Sequence, residues 1–212
     1  MEIHWSLVIF AVCALWGAGT YSVSVVVSEW LGFAKQTRAA SMVISAAALI
    51  VGAIASMTHL GHIELIFGVL SNPTSGIFIE GLSAALLVLI IAVYLVAILR
   101  RAKQSTVKAI STIGIIPALI LTFAVGSSYM MVARPAWDNI ALPVVSVGTA
   151  FLLGALTVFA LNAIQKDAGA DTAVQVSSVA VLKKVTFIAL VVQIVVIIAY
   201  FAAVSIDRKS VV

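Results

Sequence analysis

Two side chains of this sequence could exchange protons, the imidazole of His59 and the carboxylate of Glu80. A neutral imidazole accepts a proton near physiological pH and can hydrogen-bond a carbonyl oxygen. Glu80 lies five residues into an apolar stretch, where a carboxylate below a membrane interface costs on the order of 1–3 kcal/mol and usually lines an enclosed or wet cavity. Plainer interpretations remain open, because Glu80 could reach water at a helix end and His59 could be an interfacial polar residue.

A short turn adds two further candidates. Residues 134–138 read Arg-Pro-Ala-Trp-Asp. Arg134 could offset the charge of Glu80 or Asp138, and Trp137 could wall a flat aromatic ligand. An ordinary interfacial anchor explains the same turn equally well.

The composition restricts the kind of element that can position these residues. Hydrophobic residues make up 63% of the chain and charged residues 9%, with a mean hydropathy of +1.23. A soluble domain keeps about a quarter of its residues charged. The net charge of +4 does not indicate nucleic-acid binding, because the basic residues lie in short connections between apolar stretches. The sequence therefore predicts an all-α integral membrane protein with a single transmembrane domain over residues 1–212.

Six stretches are long and apolar enough to cross a bilayer, which needs about 20 residues in a helix. Backbone amides in hydrocarbon must be bonded within their own element, so each stretch is predicted to be helical despite its β-branched residues. Pro117 is predicted to kink the fourth span, and residues 166–178 are predicted to form a flexible loop. The predicted spans are Trp5–Ser28, Ala39–Met57, Gly76–Leu99, Ala109–Val132, Ile140–Ile164 and Val185–Val204.

Basic residues set the expected orientation. The first, third and fifth connections hold nine of the twelve, so the positive-inside rule places these connections in the cytoplasm and both termini outside. All three histidines (His4, His59, His62), Glu80 and Arg134 then fall at the outer face.

The sequence gives little support to a haem, phosphate, zinc or hydrolase site, or to a transporter. Two histidines at most, His4 and His59, could ligate one haem near the outer face, so no haem is expected. No phosphate-binding loop, zinc-ligand spacing or nucleophile elbow is present. A transporter usually has polar or broken helices at the midplane, where this chain offers few polar residues besides Gln193.

Three segments resemble one known family. Ile54-Ala55-Ser56-Met57-Thr58-His59-Leu60-Gly61, followed about twenty residues later by Glu80, resembles the membrane anchor subunit of the dimethyl sulfoxide reductase family. Pro135-Ala136-Trp137, with Phe151-Leu152-Leu153-Gly154 in the next span, is similar to that family's Pro-Thr-Trp turn and following helix. The opening His4-Trp5-Ser6-Leu7-Val8-Ile9-Phe10 is similar to its N-terminus. The likeness covers about residues 1–160.

This resemblance implies a function. Such anchors hold a molybdopterin catalytic subunit and an iron–sulfur subunit at the outer face of the bacterial inner membrane, oxidise menaquinol and pass its electrons to the iron–sulfur chain. By position, His59 resembles the family's quinol-site histidine and Glu80 its nearby carboxylate, while Arg134 and Trp137 are further candidates for the quinol site. The implied partners are the iron–sulfur and molybdopterin subunits.

The chain departs from the family pattern in two places. Family members commonly have eight spans, whereas six are predicted here. The Ser-Pro and basic residue that follow His-Leu-Gly in the family are replaced by His62-Ile63-Glu64-Leu65. A small transporter, or a purely structural anchor without a quinol site, is the alternative interpretation.

Overall fold

The computed structural model describes residues 5–58, 71–131, 138–165 and 172–209, and all regular structure within these ranges is helical. Six of these helical stretches are long and apolar enough to cross a membrane, which confirms the predicted fold class. The helices are α1 (Trp5–Val25, continued by a π-helical turn Val26–Trp30), a 3-10 turn (Lys35–Thr37), α2 (Arg38–Met57), α3 (Gly76–Leu99), α4 (Gln104–Ile113), α5 (Ile115–Ser127), α6 (Ala141–Ile164) and α7 (Thr172–Lys209).

Consecutive spans run in opposite directions, so the molecule has two ends. We call the end at which α3 begins the Glu80 end; α1 and α6 also begin there, and α2 and α5 finish there. A hydrogen bond joins Ser128, just after α5, to Glu80. At the opposite end, which we call the Glu29 end, Tyr94 near the close of α3 is bonded to Glu29 near the close of the first span.

Helix α1 is the centre of the bundle and packs against α2, α5 and α6. Its approach to α6 depends on two glycines. A Cβ on Gly19 would overlap the backbone carbonyl of Ala150, and one on Gly154 would overlap the carbonyl of Gly19 and lie 2.8 Å from the amide nitrogen of Thr20. The two backbones therefore touch directly, which is how membrane helices gain packing energy where lipid supplies no hydrophobic drive.

The fourth span is two helices rather than the single kinked helix over 109–132 that the sequence predicts. α4 and α5 meet at Gly114, three residues before Pro117. Proline has no amide hydrogen to donate to the preceding turn and its ring crowds that turn, which explains why the break precedes it. The Tyr21 hydroxyl of α1 donates a 2.6 Å hydrogen bond to the carbonyl of Ser111 beside the break, where a Cβ on Gly114 would overlap that hydroxyl.

The last helix begins earlier than predicted. The expected flexible loop over 166–178 is wrong from residue 172 onward, because α7 starts at Thr172, thirteen residues before the predicted span. Residues 172–184 contain neither glycine nor proline, so nothing in their backbone chemistry stops a helix from extending beyond the membrane-spanning part.

Helix α7 packs on α6 and leaves most of its membrane-spanning part exposed. The contact includes hydrogen bonds within the membrane. The Gln193 amide nitrogen donates to the hydroxyl of Thr149 at 2.7 Å and to the carbonyl of Val145 at 3.3 Å. Gly148 leaves the space that the Gln193 amide occupies. The deep polar residue of the last span therefore joins two helices.

Candidate functional site

Glu80 is held inside the bundle one turn from the beginning of α3. The helix starts at Gly76, where the Ser75 hydroxyl caps it by accepting a hydrogen bond from the amide of Phe78 at 3.2 Å. The Glu80 residue is 8% exposed. Glu80 lies on the same helix face as the buried residues Ser83, Ala84 and Leu87, which follow three, four and seven residues later, so this face is turned toward the protein.

Ser128 connects this buried carboxylate to the surface. Its hydroxyl donates a hydrogen bond of 2.5 Å to Oε1 of Glu80, while Ser128 itself is exposed. Gly76 permits the approach, because a Cβ there would lie 2.8 Å from the Ser128 hydroxyl oxygen. The carboxylate and the hydroxyl thus form a short path by which a proton can pass between the interior and the Glu80 end.

Tyr129 is the next side chain along this end of the bundle. Its hydroxyl lies 3.4 Å from the carbonyl of Leu7 in α1, to which it donates. Burial raises the pKa of the Tyr129 phenol, and the negative charge of Glu80 raises it further. The phenol therefore stays protonated at physiological pH and remains a hydrogen-bond donor beside the carboxylate.

A cleft of about 590 Å³ opens beside the Glu80–Ser128 pair, between α3, α5 and α6, and we call it the lateral cleft. Its volume falls within the range of about 300–1,000 Å³ that is usual for small-molecule sites. The walls are mostly apolar. They include Gly76 and Ile79 of α3, Leu119, Ile120 and Phe123 of α5, and Val147 of α6.

The other candidates from the sequence lie in parts of the chain that the structure does not describe. These are His59, Arg134 and Trp137, together with His4 and His62. Thr58, the residue before His59, ends α2 at the Glu80 end. Their roles, including the expectation that no haem is bound, stay predictions. Within the described ranges, no group of three or more His, Cys, Asp or Glu side chains is placed to hold a metal ion.

A second buried carboxylate, Glu29, was not singled out by sequence reasoning. Its side chain is fully buried in the π-helical turn that follows α1. It accepts hydrogen bonds from the Tyr94 hydroxyl at 2.7 Å, from the Gln104 side chain at 2.5 Å and from Arg38 at 3.4 Å. Three donors and an opposite charge satisfy this carboxylate, so it joins the ends of four helical segments rather than offering a free acceptor.

Among the described residues, the basic side chains of the first and third connections lie at the Glu29 end. At the Glu29 end, Arg38 is paired with Glu29 and the Lys108 ammonium lies 5.0 Å from the ring centre of Trp30. The remaining basic residues of the first and third connections are at that end too: Lys35, Arg100, Arg101 and Lys103. Glu80 lies at the end away from them, with a hydroxyl as its hydrogen-bond partner.

Sequence reasoning also missed Ser128. The available signal was the pair of consecutive serines, Ser127 and Ser128, at the close of an apolar span. Which of the two reaches Glu80 depends on how α5 is rotated about its axis. Ser127 instead donates back to the carbonyl of Phe123 within its own helix.

The arrangement at the Glu80 end fits a ligand with a polar head and an apolar body. Comparison with protein families supplies the decisive observation, because the model for the DMSO reductase anchor subunit (DmsC) matches residues 1–211. The chain belongs to that family. Nothing among the curated proteins or the solved structures matches it. Membership gives the protein the role of a membrane anchor and implies a quinol-linked complex with catalytic and iron–sulfur partner subunits.

Proposed function

We propose that this anchor binds menaquinol at the Glu80 end, oxidises it, and passes the electrons to an iron–sulfur partner subunit and from there to a molybdopterin catalytic subunit. The observation that carries the proposal is the buried Glu80 carboxylate, bonded to an exposed serine beside an apolar cleft. Family membership supports the same kind of complex.

The reaction needs acceptors for two protons and for two electrons, the electrons leaving one at a time when the acceptor is an iron–sulfur cluster. A quinol loses two hydroxyl protons and two electrons on becoming a quinone. His59 and Glu80 accept or relay the protons, and Ser128 passes them from Glu80 toward the surface. The electrons go to a cluster in the iron–sulfur subunit, so the anchor needs no prosthetic group of its own. Arg134 and Trp137 are proposed to complete the quinol pocket.

The proposed location is the bacterial cytoplasmic membrane, with the Glu80 end and both termini outside. The argument is the distribution of charge, because the basic residues of the first and third connections lie at the Glu29 end and the positive-inside rule assigns that end to the cytoplasm. Protons from the quinol are then released to the outside.

Two structural features weigh against a transporter among the described residues. Broken helices bind substrates in transporters through their free backbone groups. Here the Tyr21 side chain occupies the space beside Gly114, where the helix breaks, and its hydroxyl donates a hydrogen bond to the carbonyl of Ser111. The deep amide of Gln193 is used to bind α6. A purely structural anchor remains the competing function, and it would assemble with the same partners without oxidising quinol.

Replacement of His59 tests the proposal against the structural anchor. The chain should be produced with its two partner subunits and purified through a tag on the catalytic subunit. We expect the wild-type complex to oxidise menaquinol, and His59→Gln to lower the rate about 10-fold or more because it removes a group that titrates near neutral pH. The recovered amounts of the three subunits should be equal in the two preparations. Normal turnover by the His59→Gln complex would show that this histidine has no such role, and a wild-type complex inert toward quinol would leave only the anchor function.

A further inference from the structure

The lateral cleft starts at the same helical turn as the Glu80–Ser128 pair. Ile79 and Ser127, which line the cleft, directly precede Glu80 and Ser128 in the chain. Gly76 is shared by the lateral cleft and the Glu80–Ser128 pair, since it lines the cleft and also faces the Ser128 hydroxyl. Neighbouring residues of a helix point about 100° apart, so the cleft and the pair lie at the same level of the bundle and meet at Gly76. A head bonded to the Ser128 hydroxyl beside Gly76 would have its body at the mouth of this cleft.

The polarity of the cleft changes along its length. Its polar lining side chains, Thr74 and Ser127, lie at the Glu80 end, whereas the wall toward the middle of the bundle is formed by Leu119, Ile120 and Phe123. From Ser127 to Leu119 is eight residues of α5, or about 12 Å at 1.5 Å per residue. The cleft thus runs from the end of the fourth span about 12 Å into the apolar part of that span.

The cleft is open to the surrounding lipid. Leu119, Ile120 and Phe123 are 40%, 45% and 44% exposed, so no other helix of the described chain covers this wall. A long apolar chain can enter sideways here without crossing polar surface. In contrast, a compact polar substrate would gain nothing from the walls, because burial of apolar area is their main contribution.

We propose that the lateral cleft holds the polyisoprenoid tail of the quinol, and that it is the route by which the quinol enters from the membrane. The inference rests on the proposed function and adds a specificity element to it. Glu80 selects a head that can give up protons, while the α3–α5–α6 cleft selects a long branched tail. Tail recognition then acts on binding and leaves the chemical step at Glu80 unchanged.

A substitution that fills the cleft tests this division. Val147→Trp places a large ring in the cleft from α6. Leu156→Trp is its control: it lies nine residues later on the opposite side of α6, is 46% exposed and does not line the cleft. Initial rates should be measured in detergent with two quinols that share one head, one with a long isoprenoid tail and one without a tail. We expect Val147→Trp to raise KM about 10-fold for the tailed quinol with kcat unchanged, because only binding is lost. KM for the tailless quinol should not change, and Leu156→Trp should alter neither KM.

A second pair of variants tests the same cleft in case Val147→Trp prevents folding. Ile120→Trp fills the cleft from α5, and Leu89→Trp is its control at a 59% exposed position of α3 that does not line the cleft. If both cleft variants leave KM for the tailed quinol unchanged, or raise KM equally for both quinols, the tail site is wrong although the wild-type complex still oxidises quinol. If the wild-type complex oxidises neither quinol, the proposed function itself fails.

Discussion

The Glu80→Gln variant should oxidise quinol about 10²-fold or more slowly than the wild type, because general acid–base groups contribute about 10²–10⁴-fold. Glutamine has the same shape and can still accept the Ser128 hydrogen bond, so the fold is preserved while the proton acceptor is removed. The measurement is the steady-state rate of menaquinol oxidation by the purified complex. The same complex should accept electrons from a reduced viologen dye at the wild-type rate, since a dye that feeds the partner subunits bypasses the quinol.

The Ser128→Ala variant tests the proton path from Glu80 to the surface separately from the Glu80 carboxylate itself. It leaves Glu80 in place but removes the hydroxyl that connects it to the surface. We expect about a 10-fold loss in the rate of quinol oxidation, smaller than that of Glu80→Gln, because water can replace a single hydroxyl in proton transfer.

Equal quinol oxidation by Glu80→Gln and wild type would show that the Glu80 carboxylate takes no proton from the quinol.

The Gly19→Ala variant should form a less stable bundle than the wild type. Its new Cβ would overlap the carbonyl of Ala150, which belongs to the backbone and has no rotamer that avoids the clash. Helices α1 and α6 must separate, at a cost on the order of 3 kcal/mol or more. The loss should appear as a lower midpoint in an SDS unfolding titration and as a lower yield of detergent-purified protein.

Gly81→Ala is the matched control for this prediction. It makes the same change within a membrane-spanning helix, but nothing lies within 4 Å of the added Cβ. Alanine is also the better helix former, so Gly81→Ala should unfold at the wild-type midpoint or slightly above it. Equal stability of Gly19→Ala and wild type would mean that α1 and α6 do not meet at this backbone contact.

The spans were predictable because membrane insertion depends on length and apolarity, which sequence displays directly. The third span was predicted with the observed bounds, Gly76–Leu99, and the second and fifth within one residue of theirs. The depth of Glu80 followed from the same pattern. Its position five residues into an apolar helix required either burial or access to water, and the structure shows burial with one exposed hydroxyl as partner.

Features that depend on contacts between helices were not predictable. The burial of Glu29 needs Tyr94, 65 residues away, and Gln104, 75 residues away, and no local pattern joins these three. Pro117 predicts a distortion of the fourth span. The break itself lies at Gly114, beside the carbonyl to which Tyr21 of α1 donates a hydrogen bond. The early start of α7 is not apparent from the sequence, because residues 172–178 are as polar as the glycine-containing run 166–171, although they contain neither glycine nor proline.

The side of the membrane on which quinol protons appear tests the central claim most directly. The complex should be placed in vesicles with menaquinol and a trapped pH dye, and its orientation fixed by an impermeant thiol reagent acting on Lys103→Cys, in the connection at the Glu29 end. If quinol is oxidised at the Glu80 end, protons are released into the compartment opposite the labelled cysteine. Protons released on the same side as residue 103 would contradict the account, because Glu80 and Ser128 would then lie at the wrong surface.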